Sequence, residues 1–175
     1  MLARASLVPT NGRDLHSADF SEYKKEEISA HHARDLVRIN AGGTQFATLY
    51  DTLAQSKSSY FLNFIRIDRT TGKIVLLKQR TIIDETGAIF VNRDGHLFTY
   101  ILQFMRDGKN TVLPRDRNTL LQLKREADFF GMEVFKYLIQ ETLTELEQEQ
   151  RSKNGDISEI RTLVNQIANN TYFHN

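Results

Sequence analysis

Apolar and polar positions predict a run of short strands and helices that begins at residue 36. Apolar Val37 and Ile39 alternate with polar Arg38 and Asn40, and Phe46 and Thr48 continue the alternation after Gly42-Gly43. A period of two is typical of a half-buried strand, and paired glycines permit the positive backbone φ of a tight turn. The pattern therefore predicts a β-hairpin. Further short strands are predicted over residues 73–77, 81–83 and 88–92.

The clearest helical stripe follows these strands. Phe98, Ile101, Leu102 and Met105 recur at i, i+3, i+4 and i+7, and Gly108 follows as a stop signal. The other predicted helices are a short one from Asp51 or Thr52 through Ser56, one that carries Tyr60, Phe61, Phe64 and Ile65, one from Asp116 or Asn118 to Gly131, and one that starts near Glu133.

Both ends of the chain are predicted to be extensions of a domain over residues 36–140. Residues 1–35 are expected to be flexible or partly helical, with a thin apolar stripe over 17–34. Residues 141–175 are expected to be a helical extension that Asn154-Gly155 interrupts. The last helix would open with a capping box and carry a narrow seam typical of helix pairing, on its own domain or on a neighbouring subunit. The seam residues are Ile157, Ile160, Val164 and Ile167.

Composition excludes several kinds of site. The chain has 175 residues, no cysteine, and 23 Lys and Arg against 22 Asp and Glu. Without cysteine there is no disulfide, thiolate metal site or cysteine nucleophile. The balanced charge gives no general attraction to nucleic acid or anionic membranes, and no stretch approaches the roughly 20 apolar residues that cross a bilayer. We expect a cytoplasmic, non-enzymatic protein with no cofactor, no metal, no nucleic-acid partner and no membrane insertion.

Three local features suggest ligand sites, but each has a simpler explanation. Gly42-Gly43 lacks the Gly-Lys-Ser/Thr that completes a phosphate loop, so a hairpin turn is favoured. Residues 92–95 lack the alternating acidic ligands and terminal Glu of a calcium loop. His31 and His32 would face different sides of a helix, and no further ligand lies at useful spacing. None of the three supports a metal or nucleotide site.

Several motifs follow one another in a fixed order. The longest are V-R-I-N-A-G-G-T-Q-F over residues 37–46 and D-E-T-G-A-I-F-V-N-R-D-G over residues 84–95. The shorter ones are Thr52-Leu53, residues 98–108, Leu113-Pro114 and residues 126–131. Together they resemble the potassium-channel-tetramerisation branch of the BTB/POZ family, which includes the KCTD proteins and the assembly domains of voltage-gated potassium channels. The KCTD proteins are the more similar group.

The resemblance implies an α+β fold in which a small mixed β-sheet is flanked by a cluster of α-helices, with helical N- and C-terminal extensions. It also implies a homo-oligomer, in which identical subunits close into a ring through a heterologous interface. A pentamer is favoured and a tetramer is possible. The candidate interface residues are Asn40, Thr44, Arg93, Asp94 and Arg106. The candidate partner-docking residues are Phe61, Phe64, Phe129 and Phe130.

Two functions are compatible with this resemblance. In the first, the chain is a substrate adaptor that binds the cullin scaffold of a ubiquitin ligase and holds an unknown substrate nearby. In the second, it is an assembly or auxiliary domain that sets the stoichiometry of a potassium channel or membrane receptor. Both are protein-interaction functions, and neither requires catalysis.

Overall fold

Seven strands, five α-helices and two short 3₁₀ turns make up residues 28–172, the part of the chain that this computed structural model describes. Side chains are described from residue 28 to residue 167. The strands are β1 Ile28–His31, β2 Leu36–Ala41, β3 Thr44–Leu49, β4 Ile65–Ile67, β5 Ile74–Leu77, β6 Ile82–Ile83 and β7 Ile89–Val91. The helices are α1 Tyr50–Gln55, α2 Ser59–Leu62, α3 Gly95–Asp107, α4 Arg117–Phe129 and α5 Glu133–Tyr172, and the 3₁₀ turns are Lys78–Arg80 and Gly108–Asn110.

A mixed four-stranded sheet has the order β3-β2-β7-β6. Strands β2 and β3 form the predicted hairpin, with Ala41 opposite Thr44 in the antiparallel register. Gly42 and Gly43 turn the chain with φ of 55° and 97°, values that residues with a side chain rarely adopt. Strand β7 then pairs parallel to β2, and β6 pairs antiparallel to β7.

A second, antiparallel sheet has the order β1-β5-β4, whereas the sequence predicted one sheet. Two expectations are therefore wrong. The helix predicted over 17–34 is a strand at Ile28–His31, because this segment pairs with β5, and residues 1–27 lie outside the described part. Ile65 was assigned to a helix, but α2 ends at Leu62 and Ile65 begins β4, opposite Leu76.

Helix α3 ends before the predicted Gly108 stop, and α4 begins at the predicted Asp116 cap. The side chain of Asp94 accepts hydrogen bonds from the backbone N–H groups of His96 (2.8 Å) and Leu97 (3.1 Å) at the start of α3. Asp116 caps α4 in the same way, through the N–H of Thr119 at 2.7 Å. Helix α3 packs on β2 and β3, whereas α4 packs on α3 and α5, and fully buried aromatic rings fill the core. These rings belong to Phe61, Phe98, Phe130 and Phe135.

Helix α5 is continuous from Glu133 to Tyr172, so the predicted interruption at Asn154-Gly155 is wrong. A glycine inside a helix costs only about 1 kcal/mol relative to alanine, and a long helix tolerates that cost. The first half of α5 is anchored by the buried side chains of Phe135, Ile139 and Leu143. Every side chain from residue 147 to residue 167 is exposed.

Candidate interaction surfaces

Four of the five predicted interface residues lie around one corner of the four-stranded sheet. Asn40 links two turns there, since its Nδ2 donates to Asp84 Oδ2 at 2.8 Å and its Oδ1 accepts from the N–H of Gly43 at 2.8 Å. Asp84 also accepts from the N–H of Ala88 at 3.0 Å. Hydrogen bonds hold the pKa of Asp84 well below its usual range, and the bond from Asn40 has the largest effect.

Close backbone packing joins the hairpin turn to the start of α3. A Cβ on Gly42 would lie 2.4 Å from the carbonyl oxygen of Arg93, and a Cβ on Gly95 would lie 2.3 Å from Thr44 Oγ1. Only glycine fits at either position. The contact brings Asn40, Thr44, Arg93 and Asp94 together, and we call this group the hairpin corner. Thr44 and Asp94 are exposed in it.

Arg93 is the residue of the hairpin corner that reaches into the domain. Its Nε donates to Glu126 Oε2 at 2.8 Å, and its Nη2 donates to Glu126 Oε1. The Glu126 side chain is only 6% exposed, whereas that of Arg93 is 31% exposed. The guanidinium carbon also lies 4.5 Å from the centre of the Phe129 ring. The hydrogen bonds with Glu126 raise the pKa of Arg93.

Sequence reasoning missed Glu126. It belongs to the motif over residues 126–131, and it lies beside Ala127 on the buried side of α4. A carboxylate at a buried helical position requires a cationic partner, and that requirement could have identified it. Arg106, the fifth predicted interface residue, has its Nη2 2.8 Å from the carbonyl oxygen of Ala47 on β3. Its hydrogen bond is therefore to β3 and not to the hairpin corner.

The prediction that four phenylalanines form a docking surface is wrong for three of them. Phe61 and Phe130 are fully buried and Phe64 is 3% exposed. Their rings contact one another, with the Phe61 and Phe130 centres 5.7 Å apart, because they fill the core beneath α2 and α4. Phe129 remains 43% exposed, beside Arg93.

An apolar groove lies where the end of α3 meets the start of α5, and we call it the α3–α5 groove. Its deeper part has a volume of about 420 Å³, and an adjoining part has a volume of about 360 Å³. Val134, which lines both parts, is 47% exposed, and Tyr137 is 66% exposed. The other apolar lining residues are Phe104, Met105, Met132 and Leu138, and charged ones include Lys109, Glu133 and Glu141.

The second half of α5 carries a third surface. Ile157, Ile160, Val164 and Ile167 have the predicted 3-4-3 spacing, and each is between 57% and 67% exposed. Leu163, which the sequence analysis did not include, lies beside them and is 51% exposed. We call these five residues the tail seam. Such a set of large aliphatic side chains is uncommon on a single exposed helix.

Comparison with known proteins identifies the domain that carries these surfaces. Residues 37–150, well over half of the chain, match the family model described as the BTB/POZ domain. The chain belongs to the BTB/POZ domain family. BTB/POZ domains are protein-interaction domains that commonly oligomerise and bind partners, and they are generally not enzymes. The predicted α+β fold and the predicted KCTD-like type are confirmed.

Relatives of this BTB/POZ chain occur in several animals. A Caenorhabditis elegans protein of uncharacterized function is 32% identical over 123 residues, which are 69% of this chain and 88% of that protein. Human BTB/POZ domain-containing protein KCTD3 is 35% identical over 98 residues, 56% of this chain and 10% of KCTD3. The Bos taurus potassium channel regulatory protein is 36% identical over 99 residues, 57% of this chain and 33% of that protein. The matched region is thus most of the Caenorhabditis elegans protein but a third or less of KCTD3 and of the Bos taurus protein.

Two further observations bear on the chemistry of this BTB/POZ chain. Between residues 28 and 172, no helix combines the length and apolar character needed to cross a membrane. Within the same described part, no three His, Asp or Glu side chains come together as a metal site would require.

Proposed function

We propose that this BTB/POZ chain is a homo-oligomeric substrate adaptor that binds the cullin scaffold of a ubiquitin ligase in the cytoplasm. The observation that carries the proposal is the exposed apolar α3–α5 groove on a KCTD-like BTB/POZ domain. The ring of subunits, five in the favoured arrangement, would present one such groove per subunit. The substrate would bind outside the domain, through residues 1–35 or through the part of the chain after residue 150.

The hairpin corner is our proposed contact between neighbouring subunits. Thr44 and Asp94 are exposed there, whereas Asn40 and Arg93 are half-buried and bind Asp84 and Glu126. We infer that the exposed pair meets the next subunit and that the internal pair holds the corner in shape. Arg106 would take part from the neighbouring end of α3. A polar contact of this kind gives specificity and orientation more than affinity.

The α3–α5 groove has the features of a protein-docking site. Partner binding is usually dominated by a few apolar or aromatic anchors that fill a pocket, with polar groups around them. Phe104 and Met132 form an apolar floor in this groove, and both are at least nine-tenths buried. Val134 and Tyr137 are the exposed anchors, while Lys109 supplies charge at the rim.

One comparison favours a second candidate function. The Bos taurus relative is named a potassium channel regulatory protein and is 36% identical over 99 residues. Under this alternative, the ring would set the stoichiometry of a channel or receptor, and the groove would bind a cytoplasmic segment of it. The two candidates share the ring and differ in the partner.

Calorimetric titration of the full chain with the N-terminal domain of the host's BTB-binding cullin tests the first candidate. We expect tight binding at one cullin per subunit, and Val134→Asp should weaken it roughly 30-fold, the effect of a residue worth about 2 kcal/mol. Ile67→Asp is the matched control, because Ile67 is 51% exposed, on β4, and outside the groove. It should leave the affinity unchanged. No binding by a folded, oligomeric protein would favour the channel or receptor alternative.

Light scattering tests the hairpin corner separately. Asp94→Arg should dissociate the ring, because it reverses a charge at the proposed contact. Asp116→Arg is the matched control, since Asp116 caps α4 as Asp94 caps α3 but lies outside the corner. If both variants keep the mass of the wild-type assembly, Asp94 is not at the subunit contact.

A further inference from the structure

The tail seam follows the heptad spacing of a coiled coil. With Ile157 and Val164 at the a positions, Ile160 and Ile167 occupy the d positions and Leu163 occupies a g position. The opposite side of the helix, at the f position, carries Thr162. The stripe is thus confined to one side of α5, and its members are more than half exposed. We propose that the tail seam is the core of a parallel coiled coil formed with the same segment of other copies of this chain.

Charges beside the seam support a second copy of the chain as the partner. In a parallel coiled coil, a g residue of one helix lies near the e residue five positions further along the neighbouring helix. Asp156 occupies a g position and Arg161 the matching e position. Both are exposed, and neither forms an ion pair with another described residue. In the parallel arrangement, these opposite charges face each other across each helix pair.

The core residues favour more than two helices. Isoleucine at both a and d positions shifts coiled coils toward trimers and tetramers, whereas leucine at d is typical of dimers. Here both d residues are isoleucine and both a residues are β-branched. Leu163 widens the apolar surface on the g side, where a two-helix coil would leave it in water. The seam therefore suits an assembly of several chains around a common axis.

This inference rests on the proposed homo-oligomer. Two heptads are too few for isolated helices to associate stably in water. A ring of BTB/POZ domains would hold the second halves of the α5 helices close together, so that their association would be intramolecular in effect. The same ring symmetry would align the tails in parallel.

Single-cysteine variants of the full chain test the proposal cleanly, because the chain has no native cysteine. Ile157→Cys and Val164→Cys place a thiol at the two a positions, and Thr162→Cys is the control on the opposite side. After mild oxidation, each a-position variant should convert most of its monomer band on a non-reducing gel into a covalent pair of chains, and a pentamer would leave one chain in five as monomer. Thr162→Cys should remain monomeric on the gel. Light scattering on the same variants before oxidation, under reducing conditions, gives the number of chains in each assembly.

The possible outcomes test the coiled coil separately from the homo-oligomer. Crosslinking of both a-position variants, within an assembly of more than two chains, supports the parallel coil. Crosslinking of only one of them indicates an antiparallel arrangement and overturns the parallel coil. An oligomer in which neither variant crosslinks better than Thr162→Cys overturns the coiled coil and leaves the ring in place. A monomeric protein without crosslinks overturns both proposals.

Discussion

Arg93→Ala is expected to destabilise the fold, because Arg93 is the cationic partner of a buried carboxylate. It would leave the Glu126 carboxylate, whose side chain is 6% exposed, without its bidentate partner. Breaking a buried ion pair costs about 3–5 kcal/mol. Because Arg93 is 31% exposed, water can partly replace its guanidinium group. We therefore expect the free energy of unfolding to fall by about 2–4 kcal/mol. For a domain of this size, that corresponds to a fall in Tm of roughly 6–12 °C.

Thermal unfolding followed by circular dichroism measures this effect. Arg106→Ala is the matched control, because it removes an exposed arginine that donates one hydrogen bond to the Ala47 carbonyl. It should cost about 1 kcal/mol or less. Arg93→Lys should fall between the two, since it keeps the positive charge but loses the bidentate geometry. Each variant is measured at two protein concentrations, because subunit association contributes to apparent stability.

An equal Tm for Arg93→Ala and Arg106→Ala at both concentrations would refute this reasoning. It would mean that water reaches Glu126 as readily as the arginine does. A loss that appears only at the higher concentration would instead assign Arg93 to the subunit contact, as the sequence resemblance implied.

Three further predictions concern the hairpin turn, the turn at Asp84 and α5. Gly42→Ala should lower Tm strongly, because the new Cβ would lie 2.4 Å from the Arg93 carbonyl oxygen at a φ of 55°; an unchanged Tm would show that the turn can move. Hydrogen bonds lower the folded-state pKa of Asp84, so its stabilising effect is present above the ordinary carboxylate pKa of about 3.9 and is lost as the pH falls below it. Asp84→Asn should therefore reduce the difference in Tm between neutral and acidic solution, and an equal difference in both proteins would contradict this. Gly155→Ala should stabilise α5 by about 0.5–1 kcal/mol and increase helicity in the far-UV spectrum, since a Cβ there meets no atom within 4 Å; a loss of helicity would show that Gly155 is needed for a bend.

The parts of the fold that the sequence predicted are those with local signals. The hairpin depends on two adjacent glycines, and α3 begins at the Asp94 cap and ends before Gly108, which has a φ of 57°. Strands β1 and β4 have no such local signal. Both exist because they pair with β5. The β1 pairing spans more than 40 residues, as between Ile28 and Leu77, and β4 is only three residues long, so periodicity within either segment could not detect the strand.

The surfaces were predicted less well than the fold, for a similar reason. Phe129 and Phe130 are neighbours in sequence, yet one is 43% exposed and the other is fully buried. Aromatic residues suit both a core and a docking surface, so residue type alone could not separate them. The α3–α5 groove combines residues from the end of α3 with Val134 and Tyr137 on α5, and only the packing of the two helices brings them together. Motif resemblance carries information about packing that composition lacks, and four of the five residues it suggested lie together at the hairpin corner; their contact with another subunit stays a prediction.

Because α5 is continuous, it fixes the distance between the domain and the far end of the helix and carries movements of the domain to that end. From the buried Leu143 to Ile167, the helix covers about 36 Å at about 1.5 Å per residue. A flexible linker of the same number of residues would have its ends roughly 27 Å apart on average, with a wide spread of distances and directions. A helix instead behaves as a stiff rod, so a rotation of the domain is carried to the far end of α5. Anything bound there would keep a nearly constant separation and orientation relative to the domain.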